Sequence, residues 1–384
     1  MKKKLLFVND EMTMGGVARI LIGLLNKIDL EQYEVDVLIL HPHGALMKEI
    51  PDGVTILDTH PFFHAVDTNI GELLRTRQIL RVMHKMLLVF LMKTRLILPI
   101  IKQLRKKIIR KAYDVEFSAK EGFCTIFVSC GKTPKKLNWV QVDYSVQNYS
   151  KNHMGLMIEA LQNIDLNIAC SEKVGHAYRH MFKTDRVKVI HNFIDTETVL
   201  SKLDESIEVK RYPVFTFITV ARFHPQKAVD RLIKAFAFVN QTNPYTRLII
   251  IGDGEQKSLI LDLVDRYGIK DKIDLLGIQH NPYPFIKAAD LFVLSSLYEG
   301  FPTIVIESLL SQTPVLATDV AGVKEQILET EQGWIVDNTL EALQQKMLDV
   351  SQDKEQIKSF KAKLKNYHYP NETILKSYYD IFSL

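Results

Sequence analysis

The sequence predicts an α/β protein made of two doubly wound parallel-sheet domains. Three observations carry this reading. Short apolar runs such as Leu5–Val8, Val214–Val220 and Leu291–Leu294 recur and alternate with helical segments, the pattern of buried parallel strands joined by crossover helices. Several of these runs end in a glycine-containing turn that opens a helix. The chain has 384 residues, enough for two domains of ordinary size.

Composition narrows the class. A hydrophobic share of 47% and a charged share of 24% fit a globular protein. The three cysteines, Cys124, Cys130 and Cys170, lack metal-ligand spacing and read as small buried residues in a reducing compartment. The opening MKKKLLFVND has too short an apolar run for a signal peptide, and no run reaches the length of a membrane span. The expected location is cytoplasmic. The net charge of +4 hides an asymmetry: +9 up to residue 190 and −5 beyond it.

In chain order, Leu5–Val8 is the first strand, and Met14-Gly15-Gly16-Val17 opens a helix through Leu25. A glycine pair at such a turn lets a ligand approach the backbone, or is a plain tight turn. Val35–Leu40 and Val54–Asp58 are the next strands. Residues 73–113 contain no acidic residue and interleave cations with apolar residues. Pro99 starts or kinks a helix there. The segment reads as an element lying on an anionic membrane surface, or else as core with a solvated charged face. Nucleic acid is not expected, because Phe90 is the one aromatic ring between Phe63 and Tyr113. Tyr113–Ser118, Trp139–Asp143, Ile164–Cys170 and Val187–His191 complete the first domain's strands, and Ser171 caps a helix.

Val214–Val220 begins the second domain and runs into Arg222, with Lys227 five residues on at a helix start. Two cations at a strand's carboxyl end can clamp a diphosphate, or are plain surface charges. Arg247–Ile251, closed by Gly252-Asp253-Gly254, Ile273–Leu276 and Val315–Thr318 are further strands. Leu291–Leu294 leads through a turn carrying Glu299, Gly300, Phe301 and Pro302 to a helix over Ile304–Leu310, with Thr303 as its N-cap. Ligands of open parallel sheets bind at such carboxyl ends, and a helix N-terminus suits a phosphate. Glu299 and Glu307, with seven residues between them, can each accept two hydrogen bonds from a sugar diol; they read equally as a loop acid and a surface helix acid.

The run from Leu276 to Ile327, LGIQHNPYPFIKAADLFVLSSLYEGFPTIVIESLLSQTPVLATDVAGVKEQI, resembles the nucleotide-sugar half of glycosyltransferase family four. The resemblance extends over nearly the whole chain and implies two Rossmann-like domains facing across a cleft, the GT-B architecture. It implies an acceptor-binding domain over 1–190, a hinge over 191–213, a nucleotide-sugar domain over 214–369 and a terminal helix, 370–384, packed back on the first domain. The implied reaction is retaining transfer from a nucleotide diphosphate sugar, UDP favoured, to a glycan or lipid-linked acceptor at the inner face of the plasma membrane. Arg222, Lys227 and Glu299 are the implied catalytic residues. Gly15, Gly16, Gly300, Phe301, Pro302, Thr303 and Glu307 join Arg222 and Lys227 in binding the donor. No cofactor and no metal are expected, and no Asp-x-Asp triplet occurs. One departure stands out on the acceptor side: Gln141 occupies the place of the family's histidine, while Asp143 matches. Gln cannot titrate. A glycoside hydrolase using Glu299 and Glu307 would leave Arg222 and Lys227 without a role; a sugar-nucleotide epimerase lacks this Glu pair; a non-catalytic nucleotide-sugar-binding partner of another transferase is the alternative that Gln141 supports.

Overall fold

The computed structural model describes residues 2–66, 68, 70–146, 151–203, 205 and 207–383. The chain divides into two compact units, Met1–Phe193 with Asn371–Leu384, and Ile194–Pro370.

The first unit carries β1 (Lys3–Asn9), β2 (Tyr33–Ile39), β3 (Thr55–Leu57), β4 (Val115–Ser118), β5 (Lys135–Val140), β6 (Leu166–Ala169) and β7 (Val187–Val189). Their order is β3-β2-β1-β4-β5-β6-β7, and each pairing is parallel. Leu5 sits between Val35 and Val115 in register. The helix Gly16–Lys27 buries Ile20, Leu21, Leu24 and Leu25, a stripe of helical period. The last helix, Asn371–Ser383, is part of this unit. There the Trp139 indole donates to the Tyr378 hydroxyl at 2.7 Å, and the Phe382 ring meets Phe7 and Phe117.

The basic, acid-free stretch begins at the end of the helix Ile70–Arg75 and forms the helices Ile79–Lys93 and Ile97–Ile108. They divide the expected membrane element. Ile97 and Ile101 are fully buried in the unit's core together with Leu88 and Leu91. The outer face of Ile79–Lys93 instead exposes Ile79, Leu80, Met83, Met86, Leu87 and Phe90. Three cations of the stretch are turned inward. Arg105 is buried and donates to Glu116 at 2.6 Å and to the Phe127 carbonyl at 3.0 Å. Lys111 pairs with Glu34 and Asp36, and Lys85 donates to the Ala65 and Val66 carbonyls. These three serve the fold and not a membrane surface.

The second unit carries β8 (Phe215–Val220), β9 (Thr246–Ile251), β10 (Ile273–Gly277), β11 (Leu291–Leu294), β12 (Val315–Thr318) and β13 (Gly333–Val336). Their order is β10-β9-β8-β11-β12-β13, again parallel throughout. β13 is not legible in the sequence reading. Gly333 lies so close to β12 that a Cβ there would stand 1.9 Å from the Val315 carbonyl oxygen. Within the stretch read as a hinge, Thr196–Leu203 is a helix of the second unit.

Candidate active site

The predicted donor residues of the second unit lie at the carboxyl ends of β8 and β11. After β8 the chain runs through Ala221–His224 into a single 3-10 turn, Pro225–Lys227, which the His224 imidazole caps by accepting from the Gln226 amide at 3.2 Å. After β11 it runs through Ser295–Pro302 into the helix Thr303–Leu310. Pro302 is the N-cap of that helix, and Thr303 is its first residue, not its cap. Pro302 is extended there, with ψ 102°, and proline has no N–H to leave unsatisfied.

The two loops are bonded to each other. The Leu297 amide donates to the Gln226 carbonyl at 2.8 Å, and the Gln226 side chain donates to the Tyr298 carbonyl at 3.0 Å. Lys227 forms an ion pair with Glu299. The Glu299 carboxylate also accepts from the Ser296 hydroxyl at 2.6 Å and is nearly buried. The structure thus brings Lys227 and Glu299 directly together, where the sequence reading gave them separate ligands. Arg222 differs: its side chain is exposed and has no hydrogen bond or ion pair among the described residues. Glu307 is half-buried, one turn into Thr303–Leu310.

Glycines shape the neighbouring turns. Gly252 has φ +142°, and a Cβ there would stand 1.9 Å from the Ala221 carbonyl oxygen. The Phe223 amide donates to the Asp253 carbonyl at 2.9 Å. A cavity of about 290 Å³ opens beside this turn, lined by Phe223, Gly252, Lys257, Leu276 and Gly277 among others. It lies at the carboxyl end of β10. Gly322, with φ +84°, leaves no room for a side chain: a Cβ there would stand 2.9 Å from the Phe301 α-carbon and 3.0 Å from the Gly300 carbonyl oxygen.

In the first unit, Gly15 and Gly16 are exposed after β1. Gly15 is extended at φ −151°, and a Cβ would meet nothing nearer than the Thr13 carbonyl at 3.9 Å, while Gly16 faces open space. The fold alone does not require glycine at either place. Gln141, just past β5, exchanges two hydrogen bonds of 2.9 Å with the buried Asn192. Asp143 is buried, and its Oδ1 accepts from the amide and hydroxyl of Ser145 at 2.9 and 2.6 Å. Each of these two side chains is held by a local partner.

Residues 204–367 match the model of the family described as glycosyl transferases group 1. The second unit belongs to this family. Among curated relatives, an uncharacterized glycosyltransferase of Methanocaldococcus jannaschii is 35% identical over 38% of this chain and 36% of its own length. A Campylobacter jejuni protein named N-acetylgalactosamine-N,N'-diacetylbacillosaminyl-diphospho-undecaprenol 4-alpha-N-acetylgalactosaminyltransferase is 30% identical over 40% of each chain. The chain spans about two fifths of the length of these curated relatives. Among solved structures, Anabaena HepE in complex with UDP superposes with a TM-score of 0.73 over 99% of both chains at 17% identity. The fold is that of GT-B glycosyltransferases: two Rossmann-like units, each on a parallel sheet.

Three residues of the group 1 unit that sequence reasoning missed hold its site together. Arg231, on the helix Val229–Thr242, is nearly buried. Its guanidinium donates to the carbonyls of Ser295 and of Ser296 (3.1 Å) and to the Asn338 side chain at 2.7 Å. Asn338 in turn donates to the Leu297 carbonyl at 2.8 Å. Gln226 joins the two loops as described. In the sequence Arg231 is one of three charged residues, with Asp230 and Lys234, at the start of its helix, and its burial is visible in the structure alone. Among the described residues no group of three His, Cys, Asp or Glu is arranged to hold a metal ion, and no helix is long and apolar enough to cross a membrane.

Proposed function

We infer that the protein is a retaining glycosyltransferase. It moves a sugar from a nucleotide diphosphate sugar, UDP favoured, to a hydroxyl of a glycan or lipid-linked acceptor in surface polysaccharide assembly. The observation that carries this is the arrangement at the carboxyl ends of β8 and β11: an unengaged Arg222, and a Lys227–Glu299 pair on loops clamped from beneath. As the bond from the anomeric carbon to the diphosphate breaks, negative charge grows on the leaving group. Arg222 as a planar fork, Lys227 as a point charge and the amides before Thr303–Leu310 answer that charge. Glu307 takes the ribose diol, and Gly300, Phe301, Pro302 and Thr303 line the phosphates. Lys227, drawn to the diphosphate, releases Glu299 to the hydroxyls of the donor sugar. With two cations on the diphosphate, a bridging metal is not called for. Gly15 and Gly16 of the first unit let the donor approach the backbone. Gln141 and Asp143 belong to the acceptor side, and Gln141 handles no proton there.

The membrane reading narrows to one helix. Ile79–Lys93 shows water an apolar face with Arg77, Lys93 and Arg95 beside it, the composition of a helix lying in an anionic interface. This supports a cytoplasmic protein held peripherally at the inner leaflet. The Campylobacter relative, named for a diphospho-undecaprenol saccharide, supports a lipid-linked acceptor. Leu80→Glu with Phe90→Glu is expected to abolish sedimentation with anionic vesicles; unchanged sedimentation refutes this face.

A second reading, a nucleotide-sugar-binding partner of another transferase, is favoured by the Gln141–Asn192 pair, which occupies the place of a titratable group. One experiment separates the two: nucleotide release from a panel of UDP-, GDP- and ADP-sugars with and without membrane lipid extract. Release from one donor that rises with lipid establishes the transferase. Saturable nucleotide binding without release from any donor establishes the partner.

A further inference from the structure

The carboxyl edge of the first unit's sheet holds a group of side chains that the reading above does not use. The loops after β1 and β2 are locked together there: the His41 amide donates to the Asp10 carbonyl at 2.8 Å and the Met12 amide to the His43 carbonyl at 2.8 Å. Gly44, with φ +117°, comes so close that a Cβ would stand 2.1 Å from the Met12 carbonyl oxygen. This fixes His41 and His43, whose rings stack at 5.3 Å between centroids. The 3-10 helix Pro61–Ala65, which follows β3, brings His64 to within 5.8 Å of His41 on the same measure.

A fourth element supplies a fixed charge. Lys85, on the helix Ile79–Lys93, donates to the carbonyls of Ala65 and Val66 at the end of that 3-10 helix. Arg81 lies four residues earlier, on the same helix face, and so faces the histidines. It is exposed and has no ion pair among the described residues. Its positive charge is among the causes that lower the basicity of both His41 and His64, after burial, which is the largest. Both rings are therefore neutral near pH 7. The carboxylate that acts on His41 is that of Glu11, which accepts from the Thr13 hydroxyl at 2.9 Å.

Each of the two rings keeps one nitrogen accessible. His41 Nδ1 and His64 Nε2 are buried without a hydrogen-bond partner, whereas the other ring nitrogen of each is not. A neutral imidazole has one N–H and one lone pair. An orphaned buried N–H is costlier than an orphaned lone pair, so the proton sits on the accessible nitrogen, Nε2 of His41 and Nδ1 of His64. Two N–H donors and an unpaired guanidinium then lie near one another at the edge where parallel sheets bind ligands. Such a set matches an oxyanion, which accepts only.

We propose that His41, His64 and Arg81 form an acceptor subsite that binds the carboxylate or phosphoryl group of an acidic saccharide. This rests on the reading of the first unit as the acceptor-binding unit. Sugar binding would be measured on the full-length protein by ligand-observed NMR titration with glucose, glucuronate and glucose 6-phosphate, with UDP binding followed in the same samples. At least one acidic sugar is expected to bind about tenfold tighter than glucose, the worth of one charge-assisted contact, and the tighter of the two names the group. Arg81→Gln, at an exposed position that folding does not need, is expected to remove the preference and leave UDP binding unchanged. His41→Gln is expected to reduce it severalfold. Equal binding of all three sugars, or a preference that survives Arg81→Gln, overturns the proposal. If UDP binds while no acidic preference appears, only this subsite fails; if the preference appears while UDP does not bind, the donor reading fails and the oxyanion site stands.

Discussion

Replacing Glu299 by glutamine separates the two roles assigned to the Lys227–Glu299 pair. In the ligand-free protein the two charges are in contact, with the Glu299 side chain 8% and the Lys227 side chain 25% exposed. The gross attraction of such a pair near a protein surface is about 4 kcal/mol, and desolvation offsets most of it. Glutamine keeps the shape and an acceptor for Lys227 and Ser296 but drops the charge, so the net loss of folding stability is about 1–2 kcal/mol. That is about 2–8 °C in melting temperature for a unit of this size. The freed lysine has a different effect on ligand. UDP, which has a diphosphate and no transferred sugar, no longer competes with a carboxylate for Lys227, and its affinity is expected to stay level or rise by up to about fivefold. Turnover of the whole donor is expected to fall by about 100-fold or more, because the sugar hydroxyls lose their carboxylate while the barrier is crossed. Calorimetry with UDP and nucleotide release from the preferred donor sugar measure the two quantities. A UDP affinity that falls together with turnover refutes the exchange: Glu299 would then be holding Lys227 in place for the diphosphate, not handing it over.

Gly15→Ala is expected to cost no more than about 1 kcal/mol of stability, since its φ suits any residue and no atom lies within 3.4 Å of the added carbon. Donor turnover should nonetheless drop about tenfold or more if a ligand approaches there, as thermal melts and nucleotide release will show; full activity removes Gly15 from the donor site. Gly252→Ala is the opposite case: its φ of +142° and a contact of 1.9 Å with the Ala221 carbonyl predict a loss of about 3 kcal/mol, read as a lowered melting temperature of the second unit. Burial raises the Glu121 carboxyl, whose Oε2 has no hydrogen-bond partner, from its ordinary 4.5 to about 7. The folded chain therefore keeps a proton that the unfolded chain gives up between those values, and stability falls as pH rises from about 4.5 through 7. Glu121→Gln should match the wild type near pH 4.5 and exceed it by about 2–3 kcal/mol at pH 8, which urea unfolding at the two pH values measures.

The strands that form the centre of each sheet were legible because burial on both faces writes them as apolar runs: Leu291–Leu294 and Val315–Thr318 agree with the structure to the residue. β13 was not, because Gly333-Trp334-Ile335-Val336 is an edge strand whose middle is only half-buried, and a short run with a leading glycine looks like a turn. The basic stretch 73–113 shows a different limit. Composition revealed its missing acids, but the split into a core helix, Ile97–Ile108, and a helix with an exposed apolar face, Ile79–Lys93, depends on which neighbours cover each stripe. Arg105 reads in the sequence as one cation among many, and its partner Glu116 sits on β4, eleven residues away. Of the candidate site, the charged residues were visible at their spacing, whereas their mutual pairing was not. Lys227 and Glu299 lie 72 residues apart, and only the adjacency of β8 and β11 in the sheet order makes them neighbours.

That adjacency explains why the group 1 unit can present charge without collapsing on it. Arg231 spends its donors on the Ser295 and Ser296 carbonyls and on Asn338, and Thr318 donates to the Ser296 carbonyl at 2.7 Å. The backbone from Ser295 to Tyr298 is therefore fixed from three sides before any ligand arrives, through bonds that a diphosphate does not compete for. On this fixed layer stand the Lys227–Glu299 contact and the unengaged Arg222 side chain. On the proposed donor site, binding then costs the rearrangement of three side chains and not the ordering of a loop, which is the condition under which fixed cations stabilise developing charge most effectively. The same logic assigns the buried arginine and the exposed one opposite sensitivities. Loss of Arg231 would loosen the layer and act on stability and ligand alike, whereas loss of Arg222 would act on ligand alone.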